Sequence, residues 1–141
     1  MKRPWHLWVI PILAVLWNAG GAFDYLMTQT GNEAYLSMLT AEQRAYLAAF
    51  PTWVEPAWAL GVWGAMFGSL LLLVRLRLAA PLFLVSLLGL AGNILYGQVL
   101  SDPSAYEIMG TAGTLFSVLI CLSIIFLWLY SRRMAERGYL R

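Results

Sequence analysis

One cysteine and one histidine in 141 residues leave little for metal or redox chemistry to use. Cys121 has no second thiol for a disulfide, a CxxC pair or a thiolate cluster. That excludes the thiol oxidoreductases that pass electrons to quinones from a four-helix membrane scaffold. His6 stands between Trp5 and Trp8 at the edge of an apolar run; a lone imidazole makes a poor metal site, and aromatic belts at a membrane edge collect such residues. Charge is equally scarce, at 11% of residues against 61% hydrophobic, where soluble domains carry roughly 25% charged residues. No nucleophile–base pair, phosphate loop or metal-ligand spacing is present. The chain therefore reads as a non-enzyme with no cofactor and no metal.

What the chain has in quantity is apolar length. A hydrocarbon core about 30 Å thick needs roughly 20 apolar residues per helical span, and four segments meet that need: about Leu7–Tyr25, Ala57–Val74, Pro81–Leu100 and Tyr106–Tyr130. The expected fold is all-α, an integral membrane four-helix bundle forming a single transmembrane domain over residues 1–141. Eight of the nine basic residues fall on one side of these spans: Lys2, Arg3, Arg75, Arg77, Arg132, Arg133, Arg137 and Arg141. Asp24, Glu33, Glu42, Glu55, Asp102 and Glu107 fall on the other with Arg44, and only Glu136 joins the basic side. The positive-inside rule then puts both termini in the cytoplasm. The basic clusters are topology signals, so nucleic acid is not an expected partner and the lipid bilayer is. Lys2-Arg3, an apolar run and Ala19-Gly20-Gly21-Ala22 also fit a cleavable signal peptide. Against that, the run contains Trp5, Trp8, Pro11 and Trp17 and continues through Phe23, Tyr25, Leu26 and Met27.

The outer loop, residues 28–52, is too polar to cross. Thr40-Ala41-Glu42-Gln43 has the form of a capping box. The spacing predicts a short helix, a break, and an amphipathic helix from Ala41 to about Phe50, lying on the outer surface as a lid or as a plain connector. In span two, Ala57, Gly61, Gly64 and Gly68 repeat at i, i+4, i+7 and i+11, an edge with almost no side chain that lets another backbone approach. Whether that backbone belongs to this chain or to a second copy stays open. Gly110 is expected to serve packing in span four, whose Asp102-Pro103 and Ser104-x-x-Glu107 both suit a helix start.

Each span concentrates its polar residues in the outer half. Asn18, Asp24 and Tyr25 come from the first, Glu55 from the second, where it also suits a helix N-terminus, Asn93, Tyr96 and Gln98 from the third, and Glu107, Thr111 and Thr114 from the fourth. Polar side chains inside a membrane are paired, hydrated or functional. Asn18 and Asn93 are the deepest and also suit cross-bundle hydrogen bonds. Asp24 lies toward the C-terminal end of its helix, where the macrodipole disfavours negative charge, and so stands first among candidates. The candidate ligand-binding set is Asn18, Asp24, Tyr25, Asn93, Tyr96, Gln98 and Glu107. Carboxylates with only Arg44 beside them suit a cation, a proton or an amine; amides and aromatic faces suit a polyhydroxylated solute.

The string Trp17-Asn18-x-x-Gly21-x-x-Asp24-Tyr25, then Met27-Thr28-Gln29-Thr30, Asn32-Glu33-Ala34-Tyr35, Phe50-Pro51-x-Trp53 and Gly61-Val62-Trp63-Gly64, resembles a family of small proteobacterial four-span proteins. That family has no assigned activity, and some of its members carry the name sugar transporter. The resemblance covers spans one to three and implies a bacterial inner-membrane location; it carries over no catalytic residue. Three readings follow. One is a small-solute transporter or solute-binding protein, for sugars among others, built as a homodimer on small-residue faces such as Gly61–Gly68. Another is an accessory or structural subunit that packs on a larger membrane complex through the same glycine edge. The third, a processor of lipid- or sterol-type ligands, rests on general analogy with carboxylate-bearing four-helix bundles. The small multidrug transporters are a poor match, since dual topology needs a weak charge bias.

Overall fold

The computed structural model describes residues 3–141; Lys2, counted above with the basic residues ahead of span one, lies outside them. Every regular element among the described residues is helical. In chain order they are α1 (His6–Gln29), α2 (Glu33–Leu36), α3 (Ala41–Ala48), α4 (Val54–Leu73), α5 (Ala79–Leu95), a π-helical turn (Tyr96–Leu100) and α6 (Ala105–Glu136). Four helices are long and apolar enough to cross a membrane: α1, α4, α5 with its π turn, and α6. The chain is a multi-pass four-helix membrane bundle. All four helices overrun the expected spans at one end or both, because a backbone leaving the apolar layer keeps its internal hydrogen bonds until a cap ends it. Thus α1 runs four residues beyond Tyr25, and α6 runs on to Glu136.

The closest pair is α4 with α5; α1 packs on α4, and α6 on α5. Glycines set the α4–α5 distance. A Cβ on Gly64 would lie 3.0 Å from the Leu82 carbonyl oxygen and the Ser86 nitrogen, and one on Gly89 would lie 2.4 Å from the Ala57 carbonyl oxygen. The Ser86 hydroxyl donates to the Gly61 carbonyl at 2.5 Å across this interface. The glycine edge of span two is thus filled by α5 of the same chain, so neither a dimer nor a larger complex can use it. A methyl group on Gly110, by contrast, would meet nothing within 4 Å. The residue does not pack: at φ 69° and ψ −170° it interrupts the helix of α6, in a region of backbone space open in practice only to glycine.

Helix starts follow the sequence signals. Thr40 Oγ1 accepts from the Gln43 backbone N–H at 3.1 Å, and Gln43 Oε1 accepts in turn from the Thr40 backbone N–H at 3.1 Å. Ser104 and Glu107 form the second capping box, so α6 begins after Ser104 and not at Pro103. Three helices end in the same way, with a left-handed residue whose neighbours' amides close on the last turn. After α1 that residue is Gly31, after α6 Gly138, and after α4 it is Arg75, with φ 64°. Leu76 N–H donates to the Leu71 carbonyl and Arg75 N–H to Leu72, completing the Schellman pattern. A side chain in this conformation costs roughly 1–2 kcal/mol that glycine would not.

The dense core lies toward the end that carries the termini and the α4–α5 link. Leu7, Ala14, Ala65, Leu72, Phe83, Ile124, Leu127, Met134 and Leu140 are buried in one cluster. Beyond α6 the tail turns back and pairs with the link: Arg77 N–H donates to the Arg141 carbonyl and Arg141 N–H to the Arg75 carbonyl, both at 2.8 Å. Side chains bridge α1 to α6. Trp17 Nε1 donates to Ser123 Oγ at 3.2 Å and packs on Phe116, and His6 Nδ1 shares a 2.6 Å hydrogen bond with the Tyr130 hydroxyl.

Candidate functional site

At the opposite end, α2 and α3 fold over the mouths of α1 and α4. Neither short helix is buried; what fixes them is aromatic. Phe50 meets Tyr46, Trp58 and Tyr96, with ring centroids 5.2, 6.2 and 5.5 Å away, and Trp53 packs edge-on against Tyr96. Tyr96 Oη donates to the Ala49 carbonyl at 3.3 Å, closing the junction after α3. Burial among these rings, with Tyr96 adding to it, pushes the Tyr46 phenol above its ordinary value.

Beside these helices is an open pocket of about 280 Å³, lined by Leu36, Leu47, Phe50 and Trp58, with Thr28 and the exposed Gln29, Arg44 and Glu55 as its polar groups. Small-molecule sites span roughly 300–1,000 Å³, so this one suits a small solute. Arg44 and Glu55 both line it without forming an ion pair; the one salt bridge among the described residues joins Arg132 to Glu136. A guanidinium and a carboxylate facing one space, with an indole wall and an amide between, offer donors, an acceptor and an apolar face together. A bare cation is disfavoured there by Arg44, and no group of three or more His, Cys, Asp or Glu that could hold a metal occurs among the described residues.

The residues singled out from the sequence do not share this cavity, and no hydrogen bond joins any two of them. Asn18 is buried between α1 and α4, donating to Ser69 Oγ and to the Ala14 carbonyl, each at 3.0 Å. Asn93 donates to the Gly89 carbonyl of its own helix at 2.9 Å. Glu107 is exposed and spent on its capping box. Gln98 is exposed, and Tyr96 is buried in the aromatic junction. Tyr25 comes nearest the cavity, its ring stacked edge-on against the Trp58 wall at 4.9 Å. Glu55, Arg44 and Gln29, absent from the candidate set, supply the cavity's charge and amide. Arg44 did have a signal, as the one basic residue on the acidic side.

Asp24 has a different explanation from the one its position suggested. Because α1 continues to Gln29, the residue sits more than a turn inside the helix end, where the macrodipole's effect has faded. Its exposed carboxylate accepts a short hydrogen bond from the Tyr35 hydroxyl, and Phe23 packs against the same ring. This ties α2 to α1. The bond, with some burial and the carboxylate's charge, pushes the Tyr35 phenol up to about 12 from its ordinary 10.0. A raised acid contributes stability below its unfolded value and loses it as pH climbs through the folded one. The clamp should therefore hold below about pH 10 and fail between about 10 and 12. Tyrosinate absorbance, read as the difference between wild type and Tyr35→Phe, should show Tyr35 ionising late. Asp24→Asn should return it toward its ordinary value.

No protein-family model matches the chain, and no curated protein or solved structure shows significant similarity to it.

Proposed function

We propose that this is a multi-pass protein of the bacterial inner membrane, with both termini in the cytoplasm, that binds a small polar solute at its outer end. The observation that carries the reading is the open pocket beside α2 and α3, where Arg44 and Glu55 stand unpaired beside Trp58. Its chemistry suits a polyhydroxylated or zwitterionic solute better than a simple cation. The likeness to four-span proteins that carry a sugar-transporter name points the same way. Binding is favoured over transport in this conformation, since the way inward is blocked by the Asn18–Ser69 pair and then by an apolar core. The assignment of sides rests on charge, with arginines at the end of the termini and carboxylates at the end of α2 and α3.

One experiment tests both site and orientation. Ala48→Cys, on the cavity wall, should react with a membrane-impermeant maleimide applied to the outside of sealed spheroplasts, and Arg137→Cys should not. A panel of sugars, polyols and amino acids should contain a solute that slows labelling at Ala48→Cys saturably, with protection weakened about tenfold or more by Glu55→Gln or Arg44→Gln. Labelling of Arg137→Cys alone would reverse the orientation. Correct sidedness with no protection by any solute would remove the binding reading.

A second reading, as a subunit of a larger complex, draws on α6. Its loop-end half leaves Thr111, Leu115, Phe116, Ser117, Leu119 and Leu122 exposed, with small and polar residues among the apolar ones. A stoichiometric partner retained on gentle extraction would favour it.

A further inference from the structure

We propose that the cavity at the end carrying the termini is a binding site for a phosphate-bearing anion. At about 580 Å³ it is larger than the outer one, and it is bounded by Arg3 and Leu7 from the N-terminal segment, Arg75 from the α4–α5 link, and Tyr139 to Arg141 from the tail. Three arginines, Arg3, Arg75 and Arg141, are among its lining residues, and no Asp or Glu is. The nearby acid of the tail region, Glu136, is engaged with Arg132 at 3.9 Å.

Arg75 sets this cavity apart from an ordinary basic surface. Its Nη2 is buried without a hydrogen-bond partner among the described residues, and it is the single such side-chain atom. A buried guanidinium N–H left unpaired is costly, and a phosphate seated against the partly exposed Arg75 side chain offsets that cost through its charge. The group is also held in place: its guanidinium carbon sits 4.5 Å over the Trp8 ring. Arg75 further occupies the left-handed cap position that glycine fills after α1 and after α6. The chain thus accepts backbone strain to present a guanidinium here, and strain of this kind is a pointer to use. Arg77 is not part of the site; its Nε and backbone N–H hold the Leu140 and Arg141 carbonyls, which fixes the tail as a wall.

The cavity lies where α4 ends and α5 begins, at the boundary of the spanning helices, so a phospholipid headgroup and a free phosphate can both supply the ligand. The proposal does not depend on the outer cavity. To test it, protein in a phosphate-free maltoside detergent is titrated with phosphatidylglycerol and, separately, with inorganic phosphate at constant ionic strength, following the thermal unfolding midpoint. A saturable rise is expected with at least one probe: with the lipid alone if the headgroup is held with its chains, with both if the phosphate suffices, with phosphate alone if the ligand is free. Arg75→Gly relieves the backbone and removes the guanidinium, so it should fold and bind about tenfold more weakly or not at all. Arg3→Gln combined with Arg141→Gln, both at exposed positions, should weaken binding without touching the cap, and Arg133→Gln, exposed and outside the lining, should change nothing. No saturable rise with either probe, or an equal rise in wild type and Arg75→Gly, would overturn the proposal.

Discussion

Gly89→Ala should destabilise the protein by about 3 kcal/mol, at the top of the range for overpacking, although it adds one methyl group. The new Cβ would fall 2.4 Å from the Ala57 carbonyl oxygen and 2.5 Å from the Gly61 nitrogen, both backbone atoms of α4. Backbone has no alternative rotamer, so α4 and α5 must separate and lose the Ser86 bond to the Gly61 carbonyl with them. A graded series follows from the same geometry. Gly64→Ala, 3.0 Å from backbone atoms, should cost about half as much. Gly68→Ala, also 3.0 Å away but from the Phe83 ring, should cost less because a side chain can give way, and Gly61→Ala at 3.5 Å should be close to neutral. Gly20→Ala and Gly21→Ala meet nothing within 4 Å and should be neutral or stabilise by up to about 1 kcal/mol, since alanine is the better helix former. Reversible unfolding in mixed micelles measures the series. Equal effects at Gly89 and Gly20 would mean that α5 does not lie on the glycine edge of α4.

The glycine series also marks where sequence reading stops. Spacing reveals that span two has a bare edge, because side chains at i, i+4 and i+7 share a helix face. It says nothing about which helix lies against that edge, since Gly89 on α5 and a second copy of α4 would leave the same pattern. The four spans were legible as long apolar runs, and both capping boxes because each depends on residues within one turn. The polar cluster was not, for two local reasons. Gln98 lies five residues past Asn93, about 140° around a helix of 3.6 residues per turn, and so points outward, away from the Asn93 stripe. Gly110 breaks α6, so Glu107 belongs to a separate first turn and not to the face of Thr111 and Thr114. Arg44 and Glu55 are eleven positions apart and meet one cavity only because aromatic contacts from Phe50 pull α3 over α4. Arg75 read as a topology charge, and its left-handed backbone and unpartnered nitrogen have no sequence signature.

Asn18 separates the structural role of the buried polar groups from a binding role, and Asn18→Asp should cost about 3 kcal/mol, the scale for a carboxylate at the middle of a spanning helix. Asn18 is 8% exposed and Ser69 fully buried. The amide donates twice, to Ser69 Oγ and to the Ala14 carbonyl, and Ser69 donates onward to the Ala65 carbonyl at 2.8 Å. A carboxylate there has no proton to give the Ala14 carbonyl and no cation nearby among those hydrogen-bond partners. Asn18→Leu should be milder, near 1 kcal/mol, because it keeps the volume and leaves Ser69 satisfied by Ala65; cross-helix hydrogen bonds in membranes average about 0.6 kcal/mol for the same reason. Ser69→Ala combined with Asn18→Leu should then add little further loss, since both remove one bond. The ordering would change if Asn18 faced a hydrated solute path. Water would solvate the carboxylate, Asn18→Asp would be tolerated as well as Asn18→Leu, and the leucine variant would lose solute protection at Ala48→Cys without losing stability. A large penalty for the acid, with solute protection unchanged in the leucine variant, places Asn18 in the α1–α4 interface and leaves the binding chemistry to the cavity above it.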